Sequence, residues 1–230
     1  MIELFGLKLI NDLQFLELKG LLSAHLPESS QKKARRFKFQ SDSQRNIVGE
    51  LMVRAVLCDR HHLDNDKISF SYTEKNKPYL ENKDQIHFNI SHSGEWVVCA
   101  ISNKPIGVDV EKIRKINLDI GRRFFSKKES DILFSLPPKQ QLDFFFDLWT
   151  LKESYLKALG TGLTKSLDSF TIDFSSTHPT LMDGEVHVPV NLKQVMLDKS
   201  HKLAICGFED DFHDVFKRLY IDDLLCMIQA

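Results

Sequence analysis

The sequence predicts an α+β fold of two similar lobes, each an α/β two-layer unit, related by a pseudo-twofold axis with the active site in the cleft between them. Three observations carry this. A strongly periodic helix is followed by short strand-like runs, and the second half of the chain repeats that order roughly a hundred residues later. Trp96-Val-Val-Cys-Ala-Ile101 echoes Lys202-Leu-Ala-Ile-Cys-Gly207 within that repeat. Between the halves, Ser102-Asn-Lys-Pro105 reads as a turn, which divides the chain into lobes 1–103 and 104–230. A cleft between two such lobes is the natural place for a ligand.

The elements follow in order. Gln31 to Lys38, QKKARRFK, is the richest run of cations. Asp42 or Ser43 then caps a helix in which Ile47, Leu51 and Ala55, and again Val48, Met52 and Val56, recur at four-residue spacing. Strand-like runs rich in aromatic and branched residues come next, at Ile68–Tyr72, His87–Ile90 and Trp96–Ile101. In the second half a helix from about Phe144 to Leu159 carries Leu148, Leu151, Tyr155 and Leu159 on one side. Gly160 stands where a C-terminal cap belongs. Runs at Ser169–Phe174, His187–Met196 and Lys202–Phe208 complete the repeat.

Composition narrows the function classes. The chain has 230 residues, 42% hydrophobic and 27% charged, an ordinary globular balance with ample material for a core. Lys and Arg total 31 against 32 Asp and Glu, which excludes a globally basic nucleic-acid binder. No apolar run approaches the roughly 20 residues of a membrane helix. Met1 to Ile10 has no positively charged start and no cleavage site of the secretory kind. Cys58, Cys99, Cys206 and Cys226 lie far apart in apolar stretches, as expected of buried thiols in a reducing cytoplasm.

Three segments carry chemistry. In Ile106-Gly-Val-Asp-Val-Glu111, strand alternation puts Gly107, Asp109 and Glu111 on one face and Val108 and Val110 on the other. Two carboxylates beside a residue without a side chain suit Mg²⁺ holding phosphates. Taken alone, they fit the solvent face of an amphipathic strand better. In Trp149-Thr-Leu-Lys-Glu-Ser-Tyr-Leu-Lys157, a helix places Thr150, Glu153 and Lys157 on one face. Alone, Glu153 and Lys157 are explained by a surface i,i+4 ion pair. In Phe88-Asn-Ile-Ser-His-Ser-Gly94 a strand ends at Ser91 and His92, where hydroxyl, imidazole and backbone N–H groups could cradle a phosphate. A polar hairpin turn explains it as well. A Ser91–His92 catalytic couple fits poorly, because adjacent strand residues point apart.

Taken together, FNISHSGEWVVCAIS, PIGVDVE and WTLKESYLKALGTGL, in that order, resemble the 4′-phosphopantetheinyl transferase family in its two-lobed, surfactin-synthetase-activator type. RRF (35–37), RNIVGELMVRAVL (45–57), KPYL (77–80), RRFFSKKE (122–129) and LDSF (167–170) extend the resemblance from roughly Leu26 to Phe208. It implies transfer of the 4′-phosphopantetheine arm of coenzyme A to a serine of an apo carrier protein, with release of adenosine 3′,5′-bisphosphate. It implies that Asp109, Glu111 and Glu153 hold Mg²⁺ against the coenzyme's diphosphate, and that His92, with Ser91 beside it, contacts the 3′-phosphate. Lys77 and Pro78 match the segment bordering the adenine nucleotide. Lys33 and Arg45 match cations near the phosphates, and Lys152 and Lys157 match lysines near the diphosphate. Ser30 stands where a lysine is usual, and Asn46 where a threonine is common. Glu153 is the expected general base on the carrier serine, and Lys157 the group that stabilises the departing bisphosphate.

The resemblance also implies partners: peptidyl, aryl or acyl carrier domains, with no nucleic acid and no membrane. Lys112, Arg114, Lys115, Arg122, Arg123, Lys127 and Lys128, with Phe124 and Phe125 between them, would face the carrier, as would the stretch from about Gly160 to Asn191. One chain supplies both lobes, so a cytoplasmic monomer is expected. A Mg²⁺-dependent hydrolase of coenzyme A or a related nucleotide diphosphate would use the same carboxylates without a carrier surface. A non-catalytic carrier-binding adaptor would have no need of all three.

Overall fold

The computed structural model describes residues 2–208 and 216–229. The first lobe runs β1 (Glu3–Lys8), α1 (Asp12–Ala24), α2 (Glu28–Arg35), α3 (Gln40–His61), β2 (Phe70–Tyr72), β3 (Pro78–Leu80), β4 (His87–Ser93) and β5 (Trp96–Ser102). The second runs β6 (Ile106–Lys112), α4 (Gly121–Phe124), α5 (Lys127–Ser135), α6 (Pro138–Leu159), β7 (Thr171–Asp173), β8 (Thr180–Asp183), β9 (Val186–Val188), β10 (Asn191–Gln194) and β11 (His201–Gly207). After it come β12 (Phe216–Leu219) and α7 (Ile221–Gln229). The repeat is topological as well as sequential. The strand order β1-β5-β4 in one sheet matches β6-β11-β10 in the other, with antiparallel neighbours in both. Each unit places one 22-residue helix, α3 or α6, between its first strand and its closing hairpin.

Alternation along the strands builds the layers. Phe5, Leu7, Val97, Cys99 and Ile101 pack under α1 and α3 in the core of the first lobe. The opposite faces of the same strands, Leu4, Trp96, Val98 and Ala100, meet Ile106, Val108, Val110, Leu203 and Ile205 in a shared apolar layer between the sheets. Ala204 and Cys206 face the core under α6. The two lobes are therefore fused through a dry sheet-to-sheet contact.

Several boundaries differ from expectation. α3 begins at Gln40, ahead of the expected caps. Ser43 is buried and donates to Ala34 O at 3.0 Å, while Asp42 pairs with Arg45. α6 begins at Pro138, six residues early, because proline suits a first helical turn whose N–H groups have no intrahelical partner. Its end is as expected, with Gly160 at φ 70° closing on Leu156 O. The single run expected at His187–Met196 is split around Pro189 into β9 and β10.

The largest difference concerns the division at 103/104. β12 pairs in parallel with β1, and Ile221 and Leu224 of α7 enter the first lobe's core. The end of the chain thus belongs to the first lobe, because the amphipathic α7 packs its apolar face onto that lobe's core beside α3. Cys58, Cys99 and Cys206 are buried as expected, whereas Cys226 is exposed. Among the described residues, no helix is long and apolar enough to cross a membrane.

Candidate active site between the lobes

Gly107 determines how closely strand and helix approach. A Cβ there would lie 2.0 Å from Ser154 O and 2.3 Å from Ala158 N, so β6 and α6 touch backbone to backbone. Alternation then turns Asp109, the next residue on that face, toward α6, as its sequence position predicts. Lys157 Nζ lies 2.5 Å from Asp109 Oδ1 and 2.9 Å from Ser91 Oγ. Glu153 is one helical turn, about 6 Å, back along α6 from Lys157. A cavity of about 320 Å³ opens there, lined by Lys77, Pro78 and Asn89 from the first lobe and by Glu153, Lys157 and Gly160 from the second.

The carboxylates are destabilised as anions. Desolvation raises the pKa of Asp109 above the ordinary value, with Lys157 and Ser91 opposing. Desolvation also raises Glu111, and the nearby Asp109 adds to it. Glu153 is raised by desolvation, then by the charges of Asp109 and Glu111. The three groups therefore feel one another across β6 and α6. Asp109 is 4% exposed, and its Oδ2 is a buried oxygen without a hydrogen-bond partner. Against these three carboxylates stand Lys157, which pairs with Asp109, and Arg114, whose charge acts on Glu111. A hard divalent cation with oxygen ligands fits that donor set and the orphan oxygen. Among the described residues, no three acidic, histidine or cysteine side chains already converge closely enough to cage a metal ion.

The sequence neighbours Ser91 and His92 separate as predicted. Ser91 faces β6, where it donates to Asp109 Oδ1 at 3.1 Å. His92 lies on the exposed side near Arg45. Partial burial, then the Arg45 cation, pulls the His92 pKa below its ordinary value. Arg45 itself is fixed by bonds to Gly94 O at 2.8 Å and to Asp42 at 2.7 Å. Asn46, next to it on α3, carries a buried Oδ1 without a partner. Lys33 is exposed on α2 and does not line the cavity.

Lys77 borders the cavity, and its ammonium has a further role. It donates to Ile106 O at 3.3 Å and Ala158 O at 3.2 Å, and also to Lys157 O. It thereby satisfies carbonyls at the C-terminal end of α6 from the other lobe. Burial lowers its pKa to about 8.

Lys152 is not at the cleft. Its side chain is fully buried, pairs with Glu129 at 2.8 Å and donates to Leu167 O and Phe170 O at 2.8 and 2.6 Å. The expectation that it lies beside a diphosphate fails on helix geometry: five residues turn it to the face of α6 opposite Lys157. Desolvation lowers its pKa to about 8, with Glu129 opposing. Glu129 closes a capping box at the start of α5 and accepts from Ile172 N. On the expected carrier-facing segment, Phe125 is a core residue at 2% exposure, and Phe124 packs edge-on against Trp149. Two residues passed over in the sequence also matter: Asn89 and Ser93 bond β4 to β6. Their signal was present as a polar residue at every second position of β4.

A two-lobed α+β protein with an acidic cleft is the class these features define. Residues 105–206 match the model of the 4′-phosphopantetheinyl transferase superfamily, and residues 17–104 match that of a 4′-phosphopantetheinyl transferase N-terminal region. The chain is 37% identical over 205 residues to a 4′-phosphopantetheinyl transferase of Bacillus subtilis, covering 89% of this chain and 92% of that one. It is 36% identical to the transferase Sfp of Bacillus subtilis strain 168, over 97% of this chain and all of that one. It is also 36% identical to the transferase gsp of Aneurinibacillus migulanus, over 90% and 86% of the two chains. A holo-[acyl-carrier-protein] synthase from Thermotoga maritima has a TM-score of 0.39 at 21% identity, over 48% of this chain and 66% of that one. The chain belongs to the 4′-phosphopantetheinyl transferase family.

Proposed function

We propose that this enzyme transfers the 4′-phosphopantetheine group from coenzyme A to a serine of an apo carrier protein, with Mg²⁺, and releases adenosine 3′,5′-bisphosphate. The observation that supports the proposal is that Glu153 on α6, which lines the cleft, feels the charges of Asp109 and Glu111 on β6, with Lys157 bonded to Asp109 between the two elements. Those three carboxylates would hold Mg²⁺, which supplies charge neutralisation to the diphosphate being split. Arg45, His92 and Asn46, with the more distant Lys33, offer cationic and hydrogen-bonding groups to the 3′-phosphate. Lys77 and Pro78 flank the nucleotide, and Ser91 lies between the two regions. The serine hydroxyl forms a P–O bond as the diphosphate P–O bond breaks. Glu153 takes the hydroxyl proton, and Lys157 stabilises the departing phosphate. Peptidyl, aryl and acyl carrier domains are the partners.

Incubation with coenzyme A, Mg²⁺ and a panel of apo carriers tests this by intact mass. Phosphopantetheine gain on a carrier, with one bisphosphate released per transfer, is expected. Coenzyme A cleavage that proceeds without a carrier would replace the reading with hydrolysis. The base role of Glu153 is tested by Glu153→Gln across pH at saturating Mg²⁺, where a near-wild-type rate would remove it.

A further inference from the structure

β6 lies along β4, yet the two strands belong to different sheets and share no backbone ladder. Side chains of β4 do the pairing instead. Asn89 Oδ1 accepts from Val108 N at 2.9 Å, Ser91 Oγ from Val110 N at 3.3 Å and Ser93 Oγ from Lys112 N at 3.0 Å. The offset is 19 residues at each step, so the strands run in parallel and in register. This satisfies N–H groups on an edge that would otherwise be left open.

Ser93 does more than join the strands. Its hydroxyl accepts from the Lys112 amide and donates its one proton to Glu111 Oε2 at 2.9 Å. Both bonds fix the same oxygen, so the carboxylate of Glu111 is tied to its own strand through a residue of the other lobe. Asn89 has the first bond without a carboxylate partner, which separates joining from orienting.

We propose that Ser93 is a positioning residue that presents Glu111 to the divalent cation, so that the cation site is assembled only when the two lobes are in register. This rests on the Mg²⁺-dependent reading above. Ser93 acts through Glu111 and touches neither coenzyme A nor the carrier serine in this role.

The test uses the full chain with coenzyme A and Mn²⁺ as the probe, free Mn²⁺ being read by electron paramagnetic resonance. Ser93→Ala is expected to weaken Mn²⁺ binding about 10- to 100-fold, the usual consequence of losing a group that orients a metal ligand. Ser93→Thr keeps the hydroxyl and should hold affinity within about threefold of wild type. In a Glu111→Gln background, Ser93→Ala should add little further loss, since coupled residues are non-additive. The proposal is overturned if Ser93→Ala lowers the melting temperature but leaves Mn²⁺ affinity unchanged, or if the two losses simply multiply. Should Ser93→Ala fail to fold, Ser93→Cys takes its place, because a thiol is a weak donor of similar shape. Wild type that neither binds Mn²⁺ nor needs it for transfer would remove the Mg²⁺ reading itself, and that result is seen before any variant is made.

Discussion

In the first lobe, β1 turns Phe5 and Leu7 toward α3, and both are buried in an apolar core. In the second lobe, β6 occupies the matching place in the sheet order but turns Gly107, Asp109 and Glu111 toward α6. One copy of the repeated unit spends this face on burial. The other uses it for charge, which costs stability because desolvated carboxylates repel one another. The comparison teaches that duplicated architecture need not duplicate chemistry. A single strand face separates a scaffold lobe from a reactive one.

Exchanging the character of the two faces gives the largest expected effect. Phe5→Asp puts a charge and a cavity into a closed core and should cost about 5 kcal/mol or more, enough to abolish folding. Asp109→Asn should fold with an unchanged or higher urea midpoint while transfer falls on the order of 10²–10³-fold. Equal destabilisation by both substitutions would break the comparison.

The next test contrasts two lysines of α6. Lys152→Met leaves Glu129 buried without its cation and should cost about 3–5 kcal/mol by urea titration. The KM for coenzyme A of the folded enzyme should stay near wild type. Glu129→Leu added to Lys152→Met should recover only part of the loss, because it removes the unpaired charge but also the α5 capping box and the acceptor of Ile172 N. A raised KM with unchanged stability would instead place Lys152 at the ligand.

The smallest effect is one of pH. Asp109, Glu111 and Glu153 have raised pKa values in the folded state, so the fold holds their protons more tightly than the unfolded chain. Their cost to stability is absent below the ordinary carboxylate range, near about pH 4, and complete above the raised values. The stability gained by Asp109→Asn should therefore grow as pH rises from about 4. Under the proposed function a divalent cation would bind these groups deprotonated, so Mg²⁺ with coenzyme A should raise the melting temperature more at about pH 7.5 than at about pH 5. An equal shift at both would contradict this account.

Much of the site was legible because its signals are local. Period two placed Asp109 and Glu111 on one strand face, and a four-residue spacing placed Glu153 beside Lys157. Lys152 sits four residues after Leu148 and three before Tyr155, on the apolar side, a signal present in the sequence but not read from it. Resemblance suggested otherwise, and the partner that explains it, Glu129, is 23 residues upstream and invisible to periodicity. Ser93 and Asn89 were missed for a related reason. Alternating polar residues show that one face of β4 is special, but not that another strand's amides lie against it.

The pairing of Leu4 with Phe216 spans 212 residues, from 216 minus 4. Contacts that distant form late, because closing so long a loop is entropically costly before it is rewarded. As the polypeptide leaves the ribosome, β1 waits with an open hydrogen-bonding edge, and α3 waits with uncovered apolar surface, until residues beyond 216 emerge. The order of synthesis and the order of completion are thus reversed, and the lobe translated first is the one finished last.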